Sequence, residues 1–72
     1  MTNHILLVED DPKLTEFITS ELCLEGYRVT VAQNGIDGLT TARQAQPDLL
    51  ILDWMLPGLS GLDICMRLRS TG

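Results

Sequence analysis

Short aliphatic runs alternate along the chain with longer amphipathic segments, and that alternation predicts its elements. Ile5-Leu6-Leu7-Val8 is continuously apolar and ends abruptly in Glu9-Asp10-Asp11-Pro12. Such a run is a strand buried on both faces, as in a parallel sheet. Asp11 before Pro12 marks a helix start, with Asp at the cap and Pro in the first turn. Leu14, Phe17, Ile18, Leu22 and Cys23 then recur at helical spacing and make one apolar face. Gly26 stops the helix.

Tyr27 to Ala32 sets Val29 and Val31 between Arg28 and Thr30, which reads as a second, more exposed strand. Asn34-Gly35 is turn chemistry. Ile36, Leu39 and Ala42 carry a shorter second helix, with Arg43 near its end and Gly38 weakening it. Pro47-Asp48 closes this unit. Leu49 to Leu52 is a third strand, aliphatic throughout, and Asp53 terminates it. Residues 54–61 form a loop rich in breakers. Leu62 to Leu68 begins a third helix, with Leu62, Cys65, Met66 and Leu68 as its apolar positions. Strands and helices in alternation, two of the strands wholly apolar, imply a parallel α/β sheet built from right-handed crossovers.

Length and charge narrow the picture. Seventy-two residues permit one small domain, and a chain of that size buries only about 60% of its unfolded surface. Ten acidic residues against five basic ones give a net charge of -5. That balance argues against direct nucleic-acid binding by this segment, which needs a basic footprint. It suits a site that holds a cation. The apolar runs are far too short for a signal-peptide core or a membrane span, so the expected compartment is the cytoplasm. Cys23 and Cys65 are expected to be reduced and packed as small apolar residues, since no Cys/His cluster accompanies them. His4 stands alone near the terminus and is expected to be solvated or lightly packed, not a ligand or a base. Met55 and Met66 are expected to pack, because no thiolate or imidazole partner suggests a soft-metal site.

The acids fall at informative places. Glu9 and Asp10 lie just past the first strand, and Asp53 lies at the end of the third. In open parallel sheets, ligands bind beyond the carboxyl ends of the strands, where strand order reverses. If the first and third strands are neighbours, with the second on the other side of the first, these carboxylates converge. They would then repel one another unless some protonate or a hard divalent ion such as Mg²⁺ joins them. A carboxylate can also act as a nucleophile and form an acyl phosphate, and a metal would offset the charge repulsion. Taken alone, Glu9-Asp10-Asp11 is more often a charge cluster at a helix start than a metal site, and Pro57-Gly58 alone is only a turn.

Read together, the motifs resemble one family. Ile5-Leu6-Leu7-Val8-Glu9-Asp10-Asp11 looks like the opening of bacterial two-component response-regulator receiver domains. Leu49-Leu50-Ile51-Leu52-Asp53-Trp54-Met55-Leu56-Pro57-Gly58, followed by Ser60-Gly61, resembles their phosphorylation-site strand and loop. Glu25-Gly26-Tyr27 and Asn34-Gly35 match the joints between. The resemblance covers residues 1–72 in order, and the wording of the Asp53 loop is closest to the winged-helix transcription-factor branch.

The resemblance implies a partial flavodoxin-like receiver fold: a parallel three-stranded sheet in order 2-1-3 with about three helices. The family's last two strand-helix units have no counterpart here, so the 72 residues read as a truncated receiver domain. It implies that Asp53 is the phosphoacceptor and that Asp10 and Asp53 bind Mg²⁺ through their carboxylates. Met55 would add its backbone carbonyl, and Glu9 would complete the pocket through a metal-bound water. Asp11 would cap the first helix, and Pro57 and Gly58 would shape the loop. Trp54 reads as a partly exposed loop aromatic. The phosphoryl donor would be a sensor histidine kinase docking on the side of the first helix. The hydroxyl residue and the lysine that the family carries on its later strands have no matching positions in this sequence.

The implied function is a phosphoacceptor module of two-component signalling, not an enzyme, normally controlling a DNA-binding output. The competing reading is an inactive half-domain that serves as an interaction or structural fragment. A phosphohydrolase of the haloacid-dehalogenase type would want an acid two residues after the nucleophile, and Met55 stands there. Finally, an aliphatic third strand with no neighbour on its far edge invites self-association. The chain is expected not to persist as a compact monomer: it should associate through that edge, swap elements with a copy of itself, or need the missing half from elsewhere.

Overall fold

The computed structural model describes residues 3–53 and 55–71, and the side chain of Thr71 lies outside that description. The reading of Trp54 likewise falls outside the described residues. Six elements follow in order: β1 (His4–Val8), α1 (Pro12–Leu24), β2 (Arg28–Ala32), α2 (Gly35–Ala45), β3 (Leu49–Leu52) and α3 (Gly61–Thr71). The strands form one parallel sheet in the order β2-β1-β3. The chain steps from β1 to β2 in one direction and from β2 to β3 in the other. Right-handed crossovers therefore place α1 on one face and α2 on the opposite one.

β1 is central, and all five of its residues are buried, which explains its uninterrupted aliphatic run. Side chains alternate between the faces. Leu6 and Val8 join Ala32, Leu39, Ala42, Leu56 and Ile64 in the main core, with Leu50, Leu52, Leu59 and Leu68 packed around it. Ile5 and Leu7, 2% and 1% exposed, point to the other face.

Local chemistry sets the helix boundaries. Asp11 caps α1, its Oδ1 accepting from the N–H groups of Lys13 and Leu14 at 3.0 and 3.4 Å. At the far end, Gly26 takes φ 91°. Its N–H donates to the Cys23 carbonyl, and the Tyr27 N–H donates to the Leu22 carbonyl, so a Schellman motif satisfies the last turn. Asn34 is the cap of α2 as well as a turn residue, because its Oδ1 accepts from the Asp37 N–H at 2.9 Å. Gly38, which weakens α2 by propensity, is required by packing: a Cβ there would stand 2.8 Å from Val8 Cγ1.

Several expectations need correction. His4 is neither solvated nor lightly packed. It is the first residue of β1, 6% exposed, and its Nε2 lies 2.7 Å from Thr30 Oγ1. Cys23 and Cys65 are free thiols, yet both are exposed and not packed. The expected face of α1 is only partly covered. Leu14 and Phe17 are exposed, while Ile18 and Leu22 are half-buried, because α1 packs chiefly on β2 among the described residues. On α2, Leu39 and Ala42 are buried but Ile36 is exposed. Met55 and Met66 are exposed rather than packed.

The third helix buries a different stripe from the one expected. Leu62, Cys65 and Met66 face out, while Gly61 and Ile64 are buried and Leu68 is half-buried. Positions i, i+3 and i+7 share a helix face, so Gly61, Ile64 and Leu68 form the stripe that meets α2. Burial therefore predicts unequal mutational costs. Ile64→Ala should lower the unfolding free energy by about 2–5 kcal/mol, whereas Met66→Ala should change it by less than about 0.5 kcal/mol. Urea titrations of the two variants beside the parent chain check this, and equal losses would contradict the packing.

Candidate functional site

The site is built where β1 and β3 end. Val8 stands opposite Leu52 in the parallel register, so the residues that follow leave the sheet at one level. The Asp53 N–H donates to the Val8 carbonyl at 2.9 Å, and the Glu9 N–H donates to the Ala32 carbonyl at 3.0 Å. Glu9 and Asp53 are thus held as continuations of the ladder and not as free loop residues.

Glu9, Asp10 and Asp53 come together there, each offering a carboxylate oxygen within 4.8 Å of the others. Glu9 is 8% exposed, Asp53 is half-buried and Asp10 is exposed. The third acid of the opening run turns elsewhere: the Asp11 carboxylate caps α1, while its N–H donates to Glu9 Oε1 at 3.2 Å. Asp53 Oδ1 accepts from the Met55 N–H at 3.2 Å, which orients the carboxylate, and the Met55 side chain points away, 83% exposed.

The loop after Asp53 is tied to α2. The Gly35 N–H donates to the Pro57 carbonyl at 2.9 Å, and any side chain at Gly35 would run into the Leu59 backbone. Gly58 takes φ 87°, and Leu56 is buried in the core. Ser60 and Asp63 then form a reciprocal cap at the start of α3. At the opposite end of the sheet, Asp48 is bonded twice to His4: its N–H donates to the His4 carbonyl at 2.8 Å, and its Oδ2 accepts from the His4 N–H at 2.7 Å. Sequence reasoning took Asp48 as a turn residue, since nothing in local spacing links positions 44 apart. The Ser60-x-x-Asp63 cap, in contrast, was open to recognition from its spacing.

The donor set is chemically consistent. All three groups are carboxylates, the hard oxygen ligands that suit Mg²⁺. Two ligands on opposite sides of that ion at about 2.1 Å each stand about 4.2 Å apart. A spread of up to 4.8 Å therefore suits direct ligation by some of these oxygens, with another reaching through a water.

A family model for the response regulator receiver domain matches residues 5–72. This chain belongs to the response-regulator receiver family. Among curated receiver-containing relatives, the transcriptional regulatory protein YkoG of Bacillus subtilis is 50% identical over 68 residues, covering 94% of this chain and 30% of that protein. The DNA-binding response regulator MtrA of Mycolicibacterium smegmatis is 46% identical over 70 residues, covering 97% of this chain and 31% of that protein. The chain thus spans about a third of the length of the curated relatives it matches. Among solved structures, the Thermotoga maritima response regulator TrrA in complex with Mg²⁺ and BeF superposes with a TM-score of 0.91 at 38% identity, over 99% of this chain and 61% of that one. TrrA in complex with the histidine kinase ThkA gives a TM-score of 0.90 at 37% identity, over 99% and 61%. The three parallel strands in order 2-1-3 with three helices are a flavodoxin-like receiver architecture, as the resemblance implied. Relatives named as transcriptional regulators agree with the winged-helix branch. No helix among the described residues is long and apolar enough to cross a membrane.

Receiver carboxylates packed this closely perturb one another. Burial raises the Glu9 pKa above its ordinary value of 4.5, the Asp11 N–H bond opposes that rise, and Asp53, Asp10 and Asp11 add to it. An acid whose folded pKa is raised binds its proton more tightly in the folded state. Its stabilising contribution is complete below pH 4.5 and is lost as pH rises through the folded value. In metal-free buffer, Glu9→Gln should therefore be more stable than the parent at neutral pH, and that advantage should vanish below about pH 4. Urea midpoints measured from pH 4 to 8 check the sign.

Proposed function

We propose that this chain is a phosphoacceptor of two-component signalling, taking a phosphoryl group from a sensor histidine kinase onto Asp53. The observation that carries the reading is the convergence of Glu9, Asp10 and Asp53 at the in-register ends of β1 and β3. The complexes of TrrA with Mg²⁺ and BeF and with ThkA support it by analogy. Asp10 and Asp53 would hold Mg²⁺, with Glu9 acting through a water and Met55 through its backbone carbonyl. The bound ion supplies charge neutralisation between the carboxylate and the phosphoryl oxygens.

The chain's own residues do the rest. An Asp53 carboxylate oxygen attacks the phosphorus of the phosphohistidine. A P–O bond forms and the P–N bond breaks, and the departing imidazole nitrogen keeps the electron pair and takes up a proton. The product is an acyl phosphate on Asp53, and the protein transfers a group onto itself without turning over a substrate. The Met55 N–H bond to Asp53 Oδ1 holds the carboxylate for that attack. The output it would control is a DNA-binding module of the kind named for MtrA. Intact mass after treatment with acetyl phosphate and Mg²⁺ should show one added phosphoryl group, and none in Asp53→Asn. Asp10→Asn should slow the reaction by at least about 10–100-fold, the cost of losing even an outer-shell partner of a metal. An absence of any Asp53-dependent adduct would make the chain an inactive half-domain that serves only as an interaction fragment.

A further partner is another copy of the chain, paired through β3. Among the described residues β3 has a sheet neighbour on one side only, and Leu49 on it is exposed. The strand carries none of the lysines or prolines that guard edges. Antiparallel pairing with a second β3 would bring Asp48 of each copy near Asp53 of the other, so like charges oppose what the aliphatic edge favours. Salt screens that repulsion within about 10 Å at 0.1 M. Sedimentation at micromolar concentration should show association that strengthens with salt. A compact monomer at every ionic strength would contradict it.

A further inference from the structure

Asp11 is the acid of the opening run that stays out of the cluster, and its bonds lead in two directions. Its backbone N–H donates to Glu9 Oε1 at 3.2 Å. Its side-chain Oδ1 accepts from the N–H groups of Lys13 and Leu14 at 3.0 and 3.4 Å. The buried acid of the cluster is therefore joined to the first turn of α1 through one residue. We propose that Asp11 is a positioning residue that couples occupancy of the acid cluster by a divalent cation to the order of the first turn of α1. The inference rests on the cation reading of the cluster given above.

The physical basis is shared ordering. Without a cation, Asp10 and Asp53 repel the Glu9 carboxylate, and the Asp11 N–H bond at 3.2 Å works against that repulsion. A cation turns repulsion into attraction and holds Glu9 in one arrangement. The same carboxylate carries the Asp11 N–H bond, so that bond forms without a second ordering cost. With the Asp11 backbone fixed, its side chain stays aimed at Lys13 N and Leu14 N. Asp11 needs no ligand role for this. By linkage the coupling is reciprocal: the factor by which the cation orders the turn equals the factor by which losing the cap weakens the cation. The first turn leads directly into Leu14 and Phe17, both exposed, so occupancy of the site would firm up an apolar surface on α1.

Amide hydrogen exchange of the 72-residue chain, read by NMR with and without Mg²⁺, tests the proposal. Mg²⁺ should slow exchange at Lys13 and Leu14 by about 5-fold or more, the lower end of ordinary site-to-site coupling. Asp11→Ala should abolish that response while Mn²⁺ still broadens the resonances of Asp10 and Asp53. Asp11→Asn keeps the capping oxygen and should restore the response, which a ligand role for the Asp11 charge would not allow. Broadening by Mn²⁺ without slowed exchange in the parent chain, or a full response in Asp11→Ala, would overturn the coupling alone. Absence of broadening in the parent would overturn the cation reading and the coupling with it.

Discussion

The parallel pairing of β1 with β3 is the constraint on which the rest of the molecule depends, because the site exists only if those two strands end level. Both strands are aliphatic throughout, so hydrophobicity alone distinguishes poorly between registers. A slip of one residue would exchange the faces of every side chain, yet each would still be apolar. The polar bonds at the foot of the sheet supply what the aliphatic runs lack. Asp48 bonds the His4 backbone through both its own N–H and its Oδ2. His4 is fixed in turn by the contact of its ring with Thr30 on β2. From Asp48 to Asp53 the chain advances five residues, roughly 16 Å at strand rise. A clamp at one end of the sheet thereby sets the height of a carboxylate at the other.

What the clamp assembles is electrostatically unfavourable. Three carboxylates share a small volume, and the buried one, Glu9, has its pKa raised by burial and by its neighbours. A chain selected for stability alone would place neutral groups there. Retaining the acids is the pattern of a functional site, where local cost is accepted for chemistry. The surroundings limit the damage. The Asp11 N–H gives Glu9 one favourable contact, and the Met55 N–H does the same for Asp53. Neither bond neutralises charge, and that leaves a role for a cation.

Much of this was legible in the residues, for identifiable reasons. β1 and β3 were plain because central parallel strands need apolar side chains on both faces, and the Asp11-Pro12 helix start carries its own chemistry. Glu9, Asp10 and Asp53 were legible as a group because strand ends and acids coincide. The parts that were not legible depend on contacts distant in sequence. The burial of His4 follows from Thr30 and Asp48, and the role of Asp48 follows from His4. The buried stripe of α3 was misassigned because Leu62, Cys65 and Met66 look as apolar as Ile64. Hydrophobicity does not say which side of a short helix meets α2. Glycines were misread in a similar way: Gly38 counts against a helix by propensity, and only the position of Val8 shows why it is there.

The two faces of the sheet are unequally covered, and this bears on how well the site is held. One face carries α2 and α3, with the core residues from Leu6 to Ile64 packed beneath them. The other carries α1, which leaves Leu14, Phe17 and Leu49 exposed. The carboxylates take their positions from β1, from the end of β3 and from the Leu56 loop, all of which draw on the better-packed side. Val8 makes the link direct, since it closes against Gly38 and its carbonyl holds the Asp53 N–H. The strand ends that present Glu9 and Asp53 are therefore braced by the main hydrophobic core. α1 is joined to the cluster by the Asp11 bonds and keeps Leu14 and Phe17 exposed on the other face.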